Sequence, residues 1–267
     1  MGGYISSAVG AYMMVVVMAY VFQRSLMYHP DINVPDPAAF GLRDTVVVAY
    51  SAGDHTPLQS WYQPASQGKP TLVLYHGNAG NIGDRAFKAK LFIEQGMGVL
   101  LAGYRGYGGN PGKPSEEGLY QDARAALDYL KGEGIDAANI ILYGESLGTG
   151  VAVQMAVEQS ATQPVMKVIL EAPYTTMGEA AATHYPFLPA KVLVRDRYDS
   201  LSKITRINTP LLVIHGERDA TVPVKLGKKL FGAANGPKVS QWIPRAAHND
   251  LYEYGAGSLI VDFIKAP

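Results

Sequence analysis

Cysteine is absent from the 267-residue sequence, and neither sign of charge is in excess. Without cysteine the chain forms no disulfide, no thiolate nucleophile, no cysteine zinc site and no lipid anchor through sulfur. Cysteine usage therefore does not indicate whether the protein works in an oxidising or a reducing compartment. Lys plus Arg and Asp plus Glu number 23 each, and no run of like charges forms a basic patch. Nucleic acid is therefore not an expected partner.

Charge is also missing near the N-terminus, where no charged residue lies between Tyr4 and Phe22. This stretch approaches the roughly 20 apolar residues that a transmembrane helix requires. A cleaved signal peptide and a helix packed on soluble protein are the alternatives, but residues 1–7 carry no Lys or Arg and no A-x-A-like site follows Met18. The pattern favours an uncleaved, single-pass membrane anchor. Arg24, the positive residue that follows it, slightly favours an orientation with the main domain in the cytoplasm, because positive residues prefer the cytoplasmic side of a membrane helix.

The rest of the chain, 48% hydrophobic overall, alternates between short apolar strands and helical stretches. This predicts an α/β fold in which helices cover both faces of a mostly parallel sheet. A Pro- and Asp-rich linker starting at Tyr28 separates an anchor region, 1–29, from a main domain, 30–267. The alternation lapses at about 175–208, which predicts a small helical cap. The expected strands are 45–50, 58–62, 71–75, 99–102, 140–143, 168–170, 211–214 and 239–243, and the expected helices are 84–95, 115–131, 147–158 and 254–264.

A candidate nucleophile lies at Ser146, between a predicted strand and a predicted helix. The strand runs directly into Gly144-Glu145-Ser146-Leu147-Gly148, a G-x-S-x-G pattern. Such a turn exposes a serine oxygen to substrate and base, and its glycines remove side chains that would collide there. The pattern alone also fits a mere turn, but the apolar strand before it favours a nucleophile.

A serine nucleophile needs a base and an acid, which follow it in the order Ser, Asp or Glu, His when the turn has this form. Chain order excludes five of the six histidines and leaves His248, just past the last predicted strand. Asp219, in the loop after strand 211–214, is the expected acid that orients the histidine, and Glu217 is its nearest competitor. His215 is interpreted as a buried structural residue.

The negative oxygen that develops during acyl transfer needs two backbone N–H donors. One is expected from Leu147 and the other from the glycine-rich turn that begins at His76, where we favour Asn78 over Ala79. Substrate contacts are expected from Ala79, from Tyr174 at the start of the cap and from Tyr104 in a glycine-rich loop. No nucleotide-binding or metal-ligand spacing is present.

With these residues placed, the sequence resembles the membrane-anchored, bud-emergence-type branch of the α/β-hydrolase-domain-containing proteins. The resemblance implies an eight-stranded α/β-hydrolase core, a small cap, esterase or acyl-thioesterase activity and membrane attachment. Asn110 departs from the serine usual in relatives, and the cysteines that anchor the depalmitoylating members are missing, so their protein-depalmitoylating role does not carry over. The matching segments are Phe22-Gln23, Tyr28-His29-Pro30, His76-Gly77-Asn78-Ala79-Gly80-Asn81, Tyr104-Arg105-Gly106-Tyr107-Gly108, Gly118-Leu119-Tyr120-Gln121-Asp122, Gly144-Glu145-Ser146-Leu147-Gly148, His215-Gly216-Glu217-Arg218-Asp219 and His248-Asn249.

The sequence thus predicts a membrane-associated serine carboxylesterase that forms an acyl-enzyme from a small acyl-ester, thioester or lipid-like substrate, with no metal or organic cofactor. Two alternatives remain, a serine peptidase or amidase and an inactive binding module that keeps the fold. The complete Ser, Asp and His set favours an enzyme over the binding module.

Overall fold

An eight-stranded sheet forms the centre of the computed structural model, which describes residues 2–267. In chain order the strands are β1 (Val46–Ser51), β2 (Pro57–Gln63), β3 (Thr71–Tyr75), β4 (Gly98–Ala102), β5 (Ile140–Glu145), β6 (Lys167–Glu171), β7 (Leu211–Gly216) and β8 (Lys238–Ile243). The strand order across the sheet is β8-β7-β6-β5-β3-β4-β2-β1. Strands β3 to β8 run parallel to one another, whereas β2 pairs antiparallel with both β1 and β4, so the mostly parallel sheet is confirmed.

Helices cover both faces of this sheet, which explains why its central strands are apolar without alternation. The helices are α1 (Gly2–Met27), α2 (Ala86–Ile93), α3 (Glu116–Gly132), α4 (Leu147–Ser160), α5 (Met177–His184), α6 (Ala190–Leu193), α7 (Ser200–Lys203), α8 (Val224–Ala233) and α9 (Ala256–Lys265). Helices α3, α4 and α8 pack on one face of the sheet, and α2 and α9 pack on the other. Every residue of β3 is buried as a result.

Helix α1 differs from the other helices because it is apolar and yet mostly exposed. Its stretch Ser6–Met27 is long and apolar enough to cross a membrane, and only 6% of its most apolar window is buried inside the protein. The chain then forms a short parallel bridge in which His29–Pro30 pairs with Ala79–Gly80. The segment expected to be a plain linker is therefore hydrogen-bonded to the turn that carries Asn78.

The cap, defined here as residues 177–206, is inserted between β6 and β7 and contains α5, α6 and α7. It lies over the carboxyl edge of the sheet, since its residues and the loops that follow β5 and β7 line one cavity. Because the carboxyl ends of parallel strands share one edge, this arrangement brings loops that are distant in sequence to a single site.

Candidate active site

Ser146 occupies a sharp turn between β5 and α4. Its φ of 50° and ψ of −116° are unusual for a residue with a side chain, and such strain costs about 1–3 kcal/mol. The two flanking glycines are required, because a Cβ atom on Gly148 would lie 2.0 Å from the carbonyl oxygen of Tyr75, and one on Gly144 would lie 2.5 Å from that of Gly148. The Ser146 N–H donates to the carbonyl of Glu171 at 2.9 Å, which fixes the turn to β6.

The structure brings Ser146, His248 and Asp219 together at the carboxyl edge of the sheet. Nε2 of His248 lies 3.0 Å from Oγ of Ser146, and Nδ1 lies 2.7 Å from Oδ2 of Asp219. These distances allow a proton to pass from the hydroxyl to the imidazole while the carboxylate orients the ring. The predicted competitor, Glu217, instead forms a surface ion pair with Lys228 at 2.9 Å.

Asp219 is held in its ionised form. Burial opposes ionisation, but hydrogen bonds from His215 and His248, the charge of His248 and the Val222 N–H together hold the pKa of Asp219 below its ordinary value. Nε2 of His215 lies 3.1 Å from Oδ2, while the N–H groups of Thr221 and Val222 donate to Oδ1 at 2.8 and 2.7 Å. His215 is fully buried and helps to hold the Asp219 carboxylate in place through this contact.

Asn78 and Leu147, the two residues expected to supply backbone N–H donors, lie in the same region of the structure. Both residues line the cavity beside Ser146, and neither N–H donates a hydrogen bond to another residue among 2–267. The Asn78 carbonyl accepts from Tyr107 Oη at 2.8 Å and from the His29 N–H at 2.9 Å, while its side-chain amide donates to the Met27 carbonyl at 2.7 Å. Three hydrogen bonds thus fix the position of Asn78.

A cavity of about 240 Å³ opens beside Ser146. Its walls come from the last turns of α1, from the cap and from the loop that holds Val222, and most of the side chains are apolar. Tyr174 lies on this wall, as expected for a substrate contact. Tyr104 and Ala79 do not line the cavity, because Tyr104 is completely buried behind the site and Ala79 belongs to the bridge with the chain that follows α1.

Tyr104 instead packs against His76 beneath the glycine-rich turn, with ring centroids 4.3 Å apart. Burial, and then the charge of Arg85, lowers the pKa of His76 to about 3, so this imidazole is neutral at ordinary pH. The Asn110 side chain both accepts from and donates to the backbone of Gln59, which ties the Tyr104 loop to β2. These residues support the turn from behind.

A buried network of charges next to Ser146 was not predicted from the sequence. Lys88 Nζ donates to Glu145 at 2.6 Å and to Glu171 at 2.9 Å, and Arg85 Nη2 donates to Glu145 at 2.6 Å. Tyr143 Oη also donates to Glu171. Glu145 immediately precedes Ser146, so this network helps to fix the turn, and its charged residues do not line the cavity. A polar residue within the G-x-S-x-G pattern and a lysine at an apolar helical position were the only signals.

Among residues 2–267, no group of three or more His, Asp or Glu side chains is arranged so that it could hold a metal ion.

Comparison with known sequences finds relatives over most of the chain. The family model described as "Serine aminopeptidase, S33" matches residues 66–197, a segment that includes Ser146 but ends before Asp219 and His248. The protein Rv2307c of Mycobacterium tuberculosis is 40% identical over 94% of this chain and 89% of its own. Bem46 of Schizosaccharomyces pombe is 30% identical over 92% of this chain and 86% of its own, and the lysophosphatidylserine lipase ABHD12 of Danio rerio is 33% identical over 78% and 61%.

Solved structures define the class of fold. The Pyrococcus furiosus esterase PF2001 has a TM-score of 0.71 at 20% identity, covering 90% of this chain and 97% of its own, and the Vibrio vulnificus alpha-beta hydrolase has a TM-score of 0.70 at 24% identity, covering 82% and 81%. The architecture is an α/β-hydrolase fold. Together with the sequence relatives, this places the chain in the bud-emergence branch of the α/β-hydrolase-domain proteins, to which bem46 and ABHD12 also belong.

Proposed function

We propose that this protein is a membrane-anchored serine hydrolase that cleaves carboxylic esters or thioesters through an acyl-enzyme. The observation that carries the proposal is the continuous hydrogen-bonded line from Ser146 through His248 to Asp219, at 3.0 and 2.7 Å. A serine hydroxyl is a weak nucleophile at neutral pH, and this arrangement supplies the base that it lacks.

The reaction proceeds in two halves. Oγ of Ser146 attacks the ester carbonyl while Nε2 of His248 takes its proton, and the N–H groups of Asn78 and Leu147 stabilise the negative oxygen. The imidazolium then gives the proton to the departing alcohol or thiol, which leaves the acyl group on Ser146. In the second half, His248 removes a proton from water, which attacks the acyl carbonyl. The imidazolium then returns this proton to Oγ of Ser146 as the bond from Oγ to the acyl carbon breaks, which releases the carboxylic acid and regenerates the free enzyme. Asp219 stays ionised throughout and stabilises the imidazolium.

The apolar cavity favours an acyl chain as the group next to the nucleophile. The printed activity of the ABHD12 relative, a lysophosphatidylserine lipase, supports a lipid-like ester, although that activity belongs to the relative alone. The contacts of α1 favour an anchor that stays attached over a cleaved signal, since Arg24 pairs with Asp196 of the cap at 2.8 Å.

Turnover of p-nitrophenyl acyl esters by the full chain in detergent micelles tests the proposal. Ser146→Ala should abolish both turnover and covalent labelling by a fluorophosphonate. Asp219→Asn should lower kcat by roughly 10⁴-fold while the fold is kept, because the imidazole then adopts the wrong tautomer. Glu217→Gln is the matched control and should keep wild-type turnover. Activity that survives Ser146→Ala would reject the proposed nucleophile.

Peptide bond cleavage is a second candidate, which the aminopeptidase description of the matching family favours. Aminoacyl p-nitroanilides assayed beside the esters separate the two. A higher kcat/KM for the anilides would reassign the protein to the peptidases, and no turnover of either class with no fluorophosphonate labelling would favour an inactive binding module.

A further inference from the structure

The anchor helix α1 takes part in the cavity as well as standing beside it. Five residues of its last three turns line the wall opposite the cap, and their spacing places them on one face of the helix. They are Ala19, Tyr20, Gln23, Leu26 and Met27. Val21, between them in sequence, is 60% exposed on the other side. The helix therefore has a face toward the site and a face away from it.

Hydrogen bonds hold this face against the cap. Arg24 forms a two-pronged pair with Asp196 at 2.8 and 2.9 Å, and Oε1 of Gln23 accepts from the Arg195 N–H at 2.7 Å. Near the middle of the helix, Tyr12 Oη donates to the carbonyl of Phe187 at 2.9 Å. At a rise of about 1.5 Å per residue, the contacts at Tyr12 and Arg24 are roughly 18 Å apart along the helix.

The cap consequently extends along the apolar part of α1. Two apolar residues of the cap are exposed, Phe187, whose carbonyl contacts Tyr12, at 59% and Val192 at 82%. An exposed apolar surface that continues from a membrane helix is suited to contact with lipid. The cavity between α1 and the cap lies within this same region, since Tyr185 and Leu188 line it together with Ala19.

We propose that α1 forms one wall of the acyl-binding site, so that the acyl chain of a single-chain ester enters from the lipid layer between α1 and the cap and extends past Ala19. This inference rests on the proposed function, because it names where the acyl group of that reaction is held. It makes α1 a determinant of acyl chain length in addition to an anchor.

Ala19→Phe tests the inference, since a benzyl group at this position occupies the space of a long chain. Val21→Phe is the matched control, because it adds the same group to the same helix on the outward face. The full-length variants are compared in phosphatidylcholine nanodiscs by kcat/KM for p-nitrophenyl dodecanoate and butanoate. Each buried methylene contributes close to fourfold in binding, so room lost for two or three methylenes lowers the dodecanoate-to-butanoate ratio roughly 15- to 60-fold.

We expect this fall in Ala19→Phe and a wild-type ratio in Val21→Phe. Labelling of Ser146 by a small fluorophosphonate shows that the site is intact in both. Equal ratios in the two variants, with labelling kept, would overturn the inference while the esterase assignment stands. Failure of the wild-type protein to cleave either ester or to be labelled would instead overturn the proposed function.

Discussion

Replacement of Lys88 should lower the stability of the fold strongly, although this residue does not line the cavity beside Ser146. It is 4% exposed and lies between two carboxylates, those of Glu145 and Glu171. With Arg85 the group contains two positive and two negative charges, so Lys88→Met leaves one negative charge buried without compensation. Removing one partner of a buried pair costs about 3–5 kcal/mol, which corresponds to a fall of roughly 6–20 °C in Tm for a chain of this size.

Thermal unfolding of the full chain in detergent, followed by far-UV circular dichroism, measures this loss. Lys90→Met is the matched control, since Lys90 is an exposed lysine on the same helix, and its effect should stay within about 0.5 kcal/mol. Lys88→Met combined with Glu171→Gln restores neutrality and should recover much of the lost Tm. The reasoning fails if Lys88→Met behaves like Lys90→Met, or if the double variant is no more stable than the single one.

Two further predictions concern the turn that carries Asn78. Asn78→Leu keeps the backbone N–H but loses the hydrogen bond to Met27, so kcat should fall about tenfold, part of the 10²–10³-fold that a complete oxyanion donor provides, with KM little changed; an unchanged kcat in ester turnover would contradict this. The folded-state pKa of His76, about 3, lies below its unfolded value of about 6.5, so the unfolded chain binds the extra proton and stability falls as pH drops from about 6 to 3. His76→Gln should flatten this slope in denaturant titrations by up to about 1.4 kcal/mol per pH unit, and an identical slope in both proteins would refute the cause.

The layered fold and the positions of the site residues were accessible from the sequence because each depends on local patterns. The run Thr71–Tyr75 is apolar at every position and is a buried strand as predicted. The expected meeting of Ser146, Asp219 and His248 followed from a topological rule, since loops after parallel strands share an edge. The catalytic roles assigned to them remain predictions that the experiments above test.

What could not be predicted depends on partners distant in the chain. Tyr104 looked like a site residue because its loop is glycine-rich, but nothing local reveals that His76 covers its ring. Helix α8 went unpredicted, since Gly227 and three lysines, Lys225, Lys228 and Lys229, obscure its apolar face. The role of Lys88 is invisible for the same reason, because Glu145 and Glu171 meet it only after β5 and β6 pair.

The bridge between His29–Pro30 and Ala79–Gly80 leaves almost no slack between the end of α1 and the hydrolase domain. A protein on a flexible tether would tumble at the bilayer and sample many poses, whereas here the chain becomes part of the domain within two residues of Met27. With α1 in a membrane, as proposed, Ser146 should therefore keep a constant height and tilt relative to the lipid surface. Lengthening this junction by even a few residues would uncouple that geometry, in contrast to the tolerance that surface loops usually show toward insertions.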